Sequence, residues 1–332
     1  MITEVIARVV RGEALEEAAM EAAMETILAG EATPAQIAAF AVALRMRGET
    51  AEELAAAARV MRRRAKPLAL STGRLLDTCG TGGDGAGTFN ISTTAAIVVA
   101  ACGVRVAKHG NRAVSSRCGS ADVLEALGIP LDADPERVRA SLDEVGIAFL
   151  FAPAFHGALK HAAPVRRELG LRTFFNLLGP LANPAGASHQ LLGVYDESRV
   201  AQVAHVLAAL GVEGAWVVHG AGGLDEVSPS GPTRVAVLKG GAVTERVVEP
   251  PDFGLEPVPF EALAGGDAIV NARIARSILG GERGAPRTAV VMNAAAALCA
   301  AGETEDLREA AERAVAAIDS RAAERLLDRW AP

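Results

Sequence analysis

The apolar and polar positions of the first 65 residues repeat with a helical period. Thr33-Pro34 supplies a capping residue followed by proline at the first helical position, and Gly48 is typical of the end of that helix. The segment Thr50-Ala51-Glu52-Glu53 has the pattern of a capping box, and we expect the helix that it opens to reach about Ala65. This pattern predicts a small helical bundle whose apolar side packs against a partner.

From residue 74 onwards, short apolar runs alternate with helical patterns. A strand predicted at 74–77 leads into five glycines between Gly80 and Gly87, and an apolar helix follows. A second strand is predicted at 104–108, before a helix that opens at Ser120. This is one βαβ unit with a glycine loop at the carboxyl end of its first strand, where open α/β sheets bind ligands.

The rest of the chain continues this alternation and predicts an α/β fold. Strands are expected at 147–151, 190–195 and 215–219, and a β-ribbon at 235–239 and 243–248. Helices are expected from Asp134-Pro135, over 154–170 with an interruption at Pro164, from Thr173, over 198–210, and as one long amphipathic helix over 307–326; residues 179–184 are expected to form a rigid loop.

The glycine loop has the chemistry of a phosphate site. Glycine lets several peptide N–H groups converge on one anion, and a helix that begins at Ser92 or Thr93 adds roughly half a positive charge. A tight strand-to-helix turn alone also explains such glycines. We prefer the phosphate interpretation because a second, cationic loop, 108–112, leaves the next strand at the same sheet edge.

Composition and charge narrow the function. The chain has 332 residues, 50% of them apolar but only 4% aromatic, and its net charge of −7 argues against non-specific nucleic-acid binding. Its four cysteines, which are widely spaced, are expected to be reduced thiols, and no apolar run reaches the length of a membrane span. We therefore expect a soluble, cytoplasmic protein. The four are Cys79, Cys102, Cys118 and Cys299.

Asp225-Glu226 is the most informative acidic pair. It ends a second glycine loop beside the predicted phosphate site, and two carboxylates that leave room for water and substrate phosphate suit Mg²⁺. The alternative is a solvated acidic turn. Asp84, in the first glycine loop, is a further candidate, although it is equally suited to capping backbone amides.

Three basic residues are candidates for contact with anionic groups. Lys108 is the best single cation for a diphosphate, the alternative being an ordinary lysine at a strand end. For His109 we prefer a structural role over donation to a leaving phosphate. Arg166 suits a bidentate pair with a substrate carboxylate, unless it is a surface arginine. Hydroxyl groups for a phosphate are available at Ser115, Ser116 and Ser120.

Other reaction classes lack their residues. The sequence offers no Ser-His-Asp or Cys-His arrangement, and Cys79 is interpreted as a small filler of the loop rather than a nucleophile. The loop reads Gly-Thr-Gly-Gly-Asp, which departs from the GxGxxG fingerprint of dinucleotide-binding proteins.

Taken together, these motifs resemble those of the anthranilate phosphoribosyltransferases of tryptophan biosynthesis. They follow the family's order over most of the chain, with one departure at Cys118, where a small hydroxyl residue is expected. The motifs are 80–84 (GTGGD), 90–93 (NIST), 108–112 (KHGNR) with 115–116 (SS), 164–166 (PVR), 175–181 (FNLLGPL) with 183–184 (NP), and 225–226 (DE).

The resemblance implies a small N-terminal helical domain, residues 1–66 completed by about 165–185. It also implies a larger α/β domain, 67–164 and 186–332, with a mostly parallel central sheet flanked by helices, and a homodimer through the helical domains. The implied reaction is anthranilate plus phosphoribosyl pyrophosphate giving N-(5-phosphoribosyl)anthranilate and pyrophosphate, with Mg²⁺.

The resemblance also implies roles for individual residues. Phosphoribosyl pyrophosphate would be held by Gly80, Gly83, Asp84, Thr88, Asn90, Ile91, Ser92, Thr93, Lys108, His109, Gly110, Asn111, Arg112, Ala113, Val114, Ser115, Ser116 and Ser120. Anthranilate would be contacted by Gly80, Asn111 and Arg166, and magnesium by Ser92, Asp225 and Glu226. The candidate catalytic residues are Lys108, His109, Asn111 and Arg166.

Two alternatives stay open from the sequence. A pyrimidine nucleoside phosphorylase shares this architecture and a similar glycine loop, but the placement of Asp84, the Asp225-Glu226 pair and the chain length argue against it. A nucleic-acid-binding module of the same fold would need a basic groove, which an acidic chain does not favour.

Overall fold

The computed structural model describes residues 2–68, 70, 73–113, 117–131 and 134–331. Residues 2–64 form four helices joined by short connections, as predicted, and the two capping boxes form. The hydroxyl of Thr33 accepts from the Gln36 amide at 3.3 Å, and that of Thr50 from the Glu53 amide at 3.2 Å. The helices are α1 (Ile2–Val10), α2 (Glu17–Leu28), α3 (Pro34–Arg47) and α4 (Ala51–Arg64).

A seven-stranded sheet forms the centre of the molecule, in the order β3-β2-β1-β4-β5-β6-β7. The first five strands in the chain are parallel, and the last two add an antiparallel ribbon. The predicted mostly parallel sheet is therefore confirmed. The strands are β1 (Leu76–Gly80), β2 (Val106–Gly110), β3 (Ile147–Phe151), β4 (His189–Gly193), β5 (Gly214–Gly220), β6 (Thr233–Lys239) and β7 (Ala242–Val248).

Helices cover both faces of this sheet. One face carries Leu191, Trp216 and Val218 in a core shared with the helices near the C-terminus, and the other carries Leu192 and Val217 in a core shared with the N-terminal helices. The alternation along β4 and β5 is that of strands buried on both sides. The remaining α-helices are α5 (Ile91–Ala101), α6 (Ser120–Ala126), α7 (Pro135–Glu144), α8 (Ala152–Phe155), α9 (Ala163–Leu169), α10 (Phe174–Leu181), α11 (Val200–Ala209), α12 (Ala268–Leu279), α13 (Ala285–Ala300), α14 (Leu307–Asp319) and α15 (Ala322–Trp330).

The helices α9 and α10 pack against the N-terminal bundle. The ring of Phe174 meets that of Phe40 edge-on, with centroids 5.7 Å apart, and both side chains are buried in one core. This packing fits a helical domain completed by residues of about 165–185, although the domain boundaries themselves stay a prediction. None of the helices in the described ranges combines the length and the apolarity that a bilayer crossing requires.

Strand and helix boundaries differ from the sequence prediction in the βαβ unit. Both β1 and β2 start two residues later than expected and run to the glycine at their carboxyl ends, because Gly80 pairs with Gly193 and Gly110 with Phe151. The helix α5 begins at Ile91, one or two residues before the predicted start at Ser92 or Thr93.

Three helical predictions need correction. Gly179-Pro180-Leu181 belongs to α10 rather than to a loop, and the Pro180 carbonyl accepts from the Gln190 side chain at 2.7 Å. Pro164 lies in the first turn of α9 and starts that helix rather than interrupting one. The predicted long C-terminal helix is two helices, because Arg321 takes a left-handed conformation with φ of 61°.

Candidate functional site

The glycine loop after β1 is fixed by contacts from residues that end or follow two neighbouring strands, β4 and β5. The Thr81 amide donates to the Gly193 carbonyl at 2.9 Å, and the Tyr195 amide donates to the Thr81 hydroxyl at 3.0 Å. The Gly82 amide donates to Oδ2 of Asp225 at 2.7 Å. Gly82, Gly83, Gly85 and Gly87 all have φ between 66° and 75°, so this backbone path requires glycine.

Asp84 shapes the same loop. Its Oδ1 accepts from the Ala86 amide at 3.1 Å, which is the backbone-capping role that the sequence left open. Its charge also raises the pKa of Asp225, as the largest contribution after burial, so the two carboxylates lie close enough to repel each other.

The acidic turn, residues Asp225 and Glu226, rests directly on glycine backbone. A Cβ on Gly80 would overlap the Asp225 carboxylate, and one on Gly193 would overlap the Asp225 carbonyl. A Cβ on Gly220 would lie 2.5 Å from the Glu226 carbonyl oxygen. The three glycines stand at the ends of β1, β4 and β5, so the sheet edge forms a floor that only glycine can provide.

The Glu226 carboxylate turns toward the first helical turn of α5. Its Oε1 accepts from the Ser92 amide at 3.0 Å, and a further hydrogen bond from the Ser92 side chain lowers its pKa. One of the free amides that the sequence assigned to phosphate is therefore bonded to a carboxylate of the same chain. The turn brings together the three residues expected to serve magnesium.

Burial dominates the electrostatics of the acidic turn. It raises the pKa of Glu226 to about 7, opposed mainly by Lys108, and it raises that of Asp225 well above the ordinary value, with Asp84 and Glu226 adding to the effect. Two buried carboxylates with this mutual repulsion fit a divalent cation, which favours their ionised forms.

The acidic turn has oxygen donors enough for part of a metal shell rather than for a complete one. Among the described residues, no group of three or more His, Cys, Asp or Glu side chains has the arrangement of a metal site. Mg²⁺ commonly takes only one or two carboxylates and fills its remaining positions with water and substrate phosphate. The donor set therefore fits magnesium better than a metal that needs a full protein cage.

Lys108 lies beneath the loops and is only 2% exposed, which excludes an ordinary solvated lysine. Its ammonium donates to the Thr78 carbonyl. Burial lowers the pKa of Lys108, and the nearby charges of Asp77, Glu226 and Asp225 oppose that effect. The lysine therefore compensates buried carboxylates, two of which lie in the acidic turn.

His109 is neutral. Burial, with the neighbouring His156, lowers its pKa to about 3, and its Nδ1 lies 3.2 Å from the Gly179 carbonyl. A carbonyl only accepts, so Nδ1 carries the proton and Nε2 carries a lone pair. Nε2 is buried without a hydrogen-bond partner among the described residues. This arrangement supports the structural interpretation over donation to a leaving phosphate.

The second loop is less cationic than its sequence indicates. Arg112 is paired with Asp122 and Glu125, each at 2.9 Å, and its side chain is roughly half exposed. Both cations of the motif are therefore compensated, Arg112 by its two carboxylate partners and Lys108 by the buried carboxylates near it. The motif indicates the charges of these two residues but not the carboxylates that pair with them.

The backbone of the second loop is held from within. Oδ2 of Asp122 accepts from the amides of Ala113 and Gly119, both at 2.9 Å, and the Ser120 hydroxyl donates to the Asn111 carbonyl at 3.2 Å. Gly110 is required because a Cβ there would meet the Ser120 hydroxyl and the Phe149 ring. The predicted phosphate contacts Val114, Ser115 and Ser116 lie outside the described residues.

The residues of the NIST motif divide between backbone and side-chain roles. Ile91 and Thr93 are 1% and 2% exposed, so their side chains are not available to a ligand, and the Ile91 amide donates to the Phe89 carbonyl at 2.8 Å. Asn90 donates to the Cys118 carbonyl at 3.3 Å and accepts from Asn271 at 2.9 Å, which links the two loops. Thr88 forms a bridge to Ala264 at the rim.

Arg166 on α9 is half-buried with its guanidinium 5.7 Å from the centroid of the Phe175 ring. Burial alone lowers its pKa, and within the described ranges no carboxylate offsets that effect. A half-buried arginine without a charged partner is better suited to bind the carboxylate of a ligand than to form a surface salt bridge.

Four supporting residues were not found from the sequence. Arg172 donates to the Gly83 carbonyl and stacks on Tyr195 at 4.4 Å. The others are Asp122, Asn271 and Asn293. A lone polar residue in an apolar helical run was the available signal for Asn293, and an acidic residue at the third position of a helix, as in a capping box, was the signal for Asp122.

Comparison with known proteins agrees with this geometry. The sequence profile described as "Glycosyl transferase family, a/b domain" matches residues 72–324, and the one described as "Glycosyl transferase family, helical bundle domain" matches residues 3–65. The anthranilate phosphoribosyltransferase of Moorella thermoacetica is 58% identical over 323 residues, which cover 97% of this chain and 95% of that protein. That of Symbiobacterium thermophilum is 57% identical over 322 residues, covering 97% and 94%.

Solved structures give the same result. The crystal structure of the Thermus thermophilus anthranilate phosphoribosyltransferase superposes with a TM-score of 0.93 at 48% identity and covers 98% of each chain. The Saccharomyces cerevisiae enzyme in complex with phosphoribosyl pyrophosphate and Mg superposes with a TM-score of 0.91 at 29% identity, covering 99% of this chain and 96% of that one. This chain belongs to the anthranilate phosphoribosyltransferase family.

Proposed function

We propose that this chain transfers the 5-phosphoribosyl group from phosphoribosyl pyrophosphate to the amine of anthranilate, giving N-(5-phosphoribosyl)anthranilate and pyrophosphate in tryptophan biosynthesis. The observation that carries the proposal is the acidic turn, which lies on the glycine ends of three strands and is hydrogen-bonded to both the glycine loop and α5. A phosphate loop joined in this way to two buried carboxylates suits a metal-bound diphosphate.

The sugar donor is proposed to lie along the two loops. The backbone of the glycine loop and the Thr93 amide are proposed to donate to its phosphates, since the Ile91 and Ser92 amides already donate to Phe89 and Glu226. Lys108 offers a positive charge nearby. The second loop, Gly110 to Ser120, would hold the phosphate on the opposite side. Relatives of this chain support the assignment, since the yeast enzyme is solved in complex with phosphoribosyl pyrophosphate and Mg.

Magnesium is proposed to bind at Asp225 and Glu226, with the Ser92 hydroxyl as a further oxygen. When bound there, the ion supplies positive charge to a departing diphosphate. Both carboxylates must be ionised to accept it, and the pKa of about 7 for Glu226 places the ionisation of that side chain near neutral pH.

Anthranilate is proposed to place its carboxylate on Arg166, near Asn111 and Gly80. The half-buried guanidinium would gain the charged partner that the described residues do not supply. A charge-assisted pair of this kind orients the aromatic acid so that its amine faces the sugar.

The reaction exchanges one bond at C1 of the ribose for another. The C1–O bond to pyrophosphate breaks while the anthranilate nitrogen bonds to C1, and the nitrogen then loses a proton. Loop amides and Lys108 oppose the negative charge that grows on the leaving group. Because the aniline amine is uncharged at neutral pH, attack requires no prior deprotonation. His109 is proposed to orient the loop backbone through its bonds to Asp77 and Gly179.

We also propose that the protein acts in the cytoplasm as a homodimer through its helical domain. Support comes from two large apolar side chains that are exposed on this bundle, Val10 at 70% and Met46 at 83%. Sedimentation at micromolar concentration tests the assembly, and a monomer unaffected by Met46→Glu would contradict it.

Product formation from anthranilate and phosphoribosyl pyrophosphate tests the reaction, with and without a magnesium chelator. We expect turnover that the chelator abolishes and that the double variant Asp225→Asn, Glu226→Gln loses at every magnesium concentration. Phosphorolysis of uridine or thymidine serves as the control activity. Turnover of these nucleosides without any from anthranilate would overturn the proposal in favour of a nucleoside phosphorylase.

A further inference from the structure

Asn293 is a fully buried polar residue in the apolar helix α13. Its side chain makes two hydrogen bonds to Val227, the residue after the acidic turn. Its Oδ1 accepts from the Val227 amide and its Nδ2 donates to the Val227 carbonyl, both at 2.9 Å. The second proton of Nδ2 goes to the Ala289 carbonyl, also at 2.9 Å. All the donors of this amide are used, so the side chain has a single orientation.

The position of Val227 makes this contact important for the acidic turn. It follows Glu226 directly, and the same turn is blocked on its other side by the glycine ends of the strands. The Gly220 amide donates to the Leu224 carbonyl at 2.9 Å and closes the loop before the turn. Asn293 therefore fixes the backbone on the other side of the acidic turn. The two carboxylates are held between the sheet edge and α13.

We propose that Asn293 is a positioning residue for the metal site: it fixes the backbone after Glu226, so that the Asp225 carboxylate faces the glycine loop and the Glu226 carboxylate faces α5, in the arrangement that binds Mg²⁺. This inference rests on the proposed function because it assigns the metal to Asp225 and Glu226. It adds a residue on a helix that itself contributes no metal ligand.

The geometry explains why an asparagine is needed. The Val227 amide and carbonyl are buried, and a peptide-like side chain satisfies both at once, as a neighbouring strand would. An alanine leaves both groups without that partner, and a serine hydroxyl is too short to reach both. Either change frees the turn to shift relative to Ser92 and Gly82, which its carboxylates contact.

The proposal can be tested without relying on turnover by measuring Mn²⁺ binding in the presence of phosphoribosyl pyrophosphate. Electron paramagnetic resonance reports this binding as a loss of the free-ion signal. For Asn293→Ala and Asn293→Ser we expect the dissociation constant to rise at least tenfold. The KM for anthranilate should change less than twofold. Val291→Ala on the same helix, a buried site that does not contact Val227 through a hydrogen bond, is the matched control and should bind Mn²⁺ as the unaltered chain does.

Each outcome decides the question. Unchanged Mn²⁺ affinity in a folded Asn293 variant overturns the proposal, and so does an equal rise in the anthranilate KM. Loss of the fold in both Asn293 variants but not in Val291→Ala would also overturn it, because the residue would then support the whole domain. The variant Asp225→Asn, Glu226→Gln tests the proposed metal site separately from the role of Asn293. If this variant binds Mn²⁺ normally, the proposed metal site is wrong, whatever the Asn293 variants show.

Discussion

Gly193→Ala tests how closely the acidic turn must approach the sheet. Gly193 ends β4 and pairs with Gly80 and with Val218 on either side. Its φ lies outside the left-handed region, so alanine costs nothing in backbone conformation there. The added Cβ, however, would lie 3.0 Å from the Asp225 Cα and closer still to its carbonyl group. The turn and the strand end must move apart.

The size of the effect follows from this overlap. The obstacle is backbone on both sides, so no side-chain rotation relieves it, and overpacking of this kind costs about 1–3 kcal/mol in the free energy of unfolding. The carboxylates would move by about 1 Å, and a misplacement of that size at a catalytic centre costs roughly 100-fold in rate. We expect kcat/KM to fall by about that factor, while much of the protein remains folded at 25 °C.

Steady-state assays at saturating Mg²⁺, together with thermal unfolding, measure both quantities. Gly157→Ala is the matched control, since a Cβ there meets nothing within 4 Å and its φ is also outside the left-handed region. That variant should keep its activity within twofold. If Gly193→Ala behaved like Gly157→Ala, the acidic turn would not need its observed position, and the account of the metal site would be refuted.

Three further predictions concern charge. Arg166→Ala should raise the KM for anthranilate at least tenfold and that for phosphoribosyl pyrophosphate much less; equal effects in steady-state kinetics would remove Arg166 from the carboxylate site. Glu226 holds its proton in the folded state up to a pKa of about 7, against an ordinary value of 4.5, so the free energy of unfolding should fall as pH rises between those values. Denaturant titrations should show that Glu226→Gln reduces this slope and that Mg²⁺ stabilises the unaltered chain more at pH 8 than at pH 5; a slope that survives the substitution would contradict the assignment. Lys108→Met should cost about 3–5 kcal/mol of stability by leaving Asp77 buried without its cation, and Asp77→Asn in the same chain should restore part of it. Equal stability of the single and double variants would show that the two charges are not coupled.

The sequence predicts the helical bundle and the parallel sheet well because both rest on local patterns. Capping boxes at Thr33 and Thr50 define helix starts, the apolar run of β3 matches a buried strand, and the predicted ribbon matches β6 and the mostly exposed β7. The ends of β1 and β2 were placed too early because their glycines resemble loop residues. Pairing with a neighbouring strand, which the local sequence does not encode, extends them.

In the candidate site, too, local sequence predicts some features, whereas others depend on contacts between distant residues. Residue types at the strand ends predict which loops meet, and the structure brings Gly82, Ser92 and the acidic turn into contact. The state of each charge depends on partners that are distant in sequence. Lys108 is buried against Asp77, and Arg112 is bonded to Asp122 and Glu125, so neither is the open cation that its motif indicates.

The most direct test of the central claim is a crystal structure of this chain with phosphoribosyl pyrophosphate and Mg²⁺. We predict that the diphosphate lies over the glycine loop, with the ion on Asp225 and Glu226 and the ribose facing Arg166. Density for the sugar donor at any other place, or an ion that does not contact the acidic turn, would contradict the account.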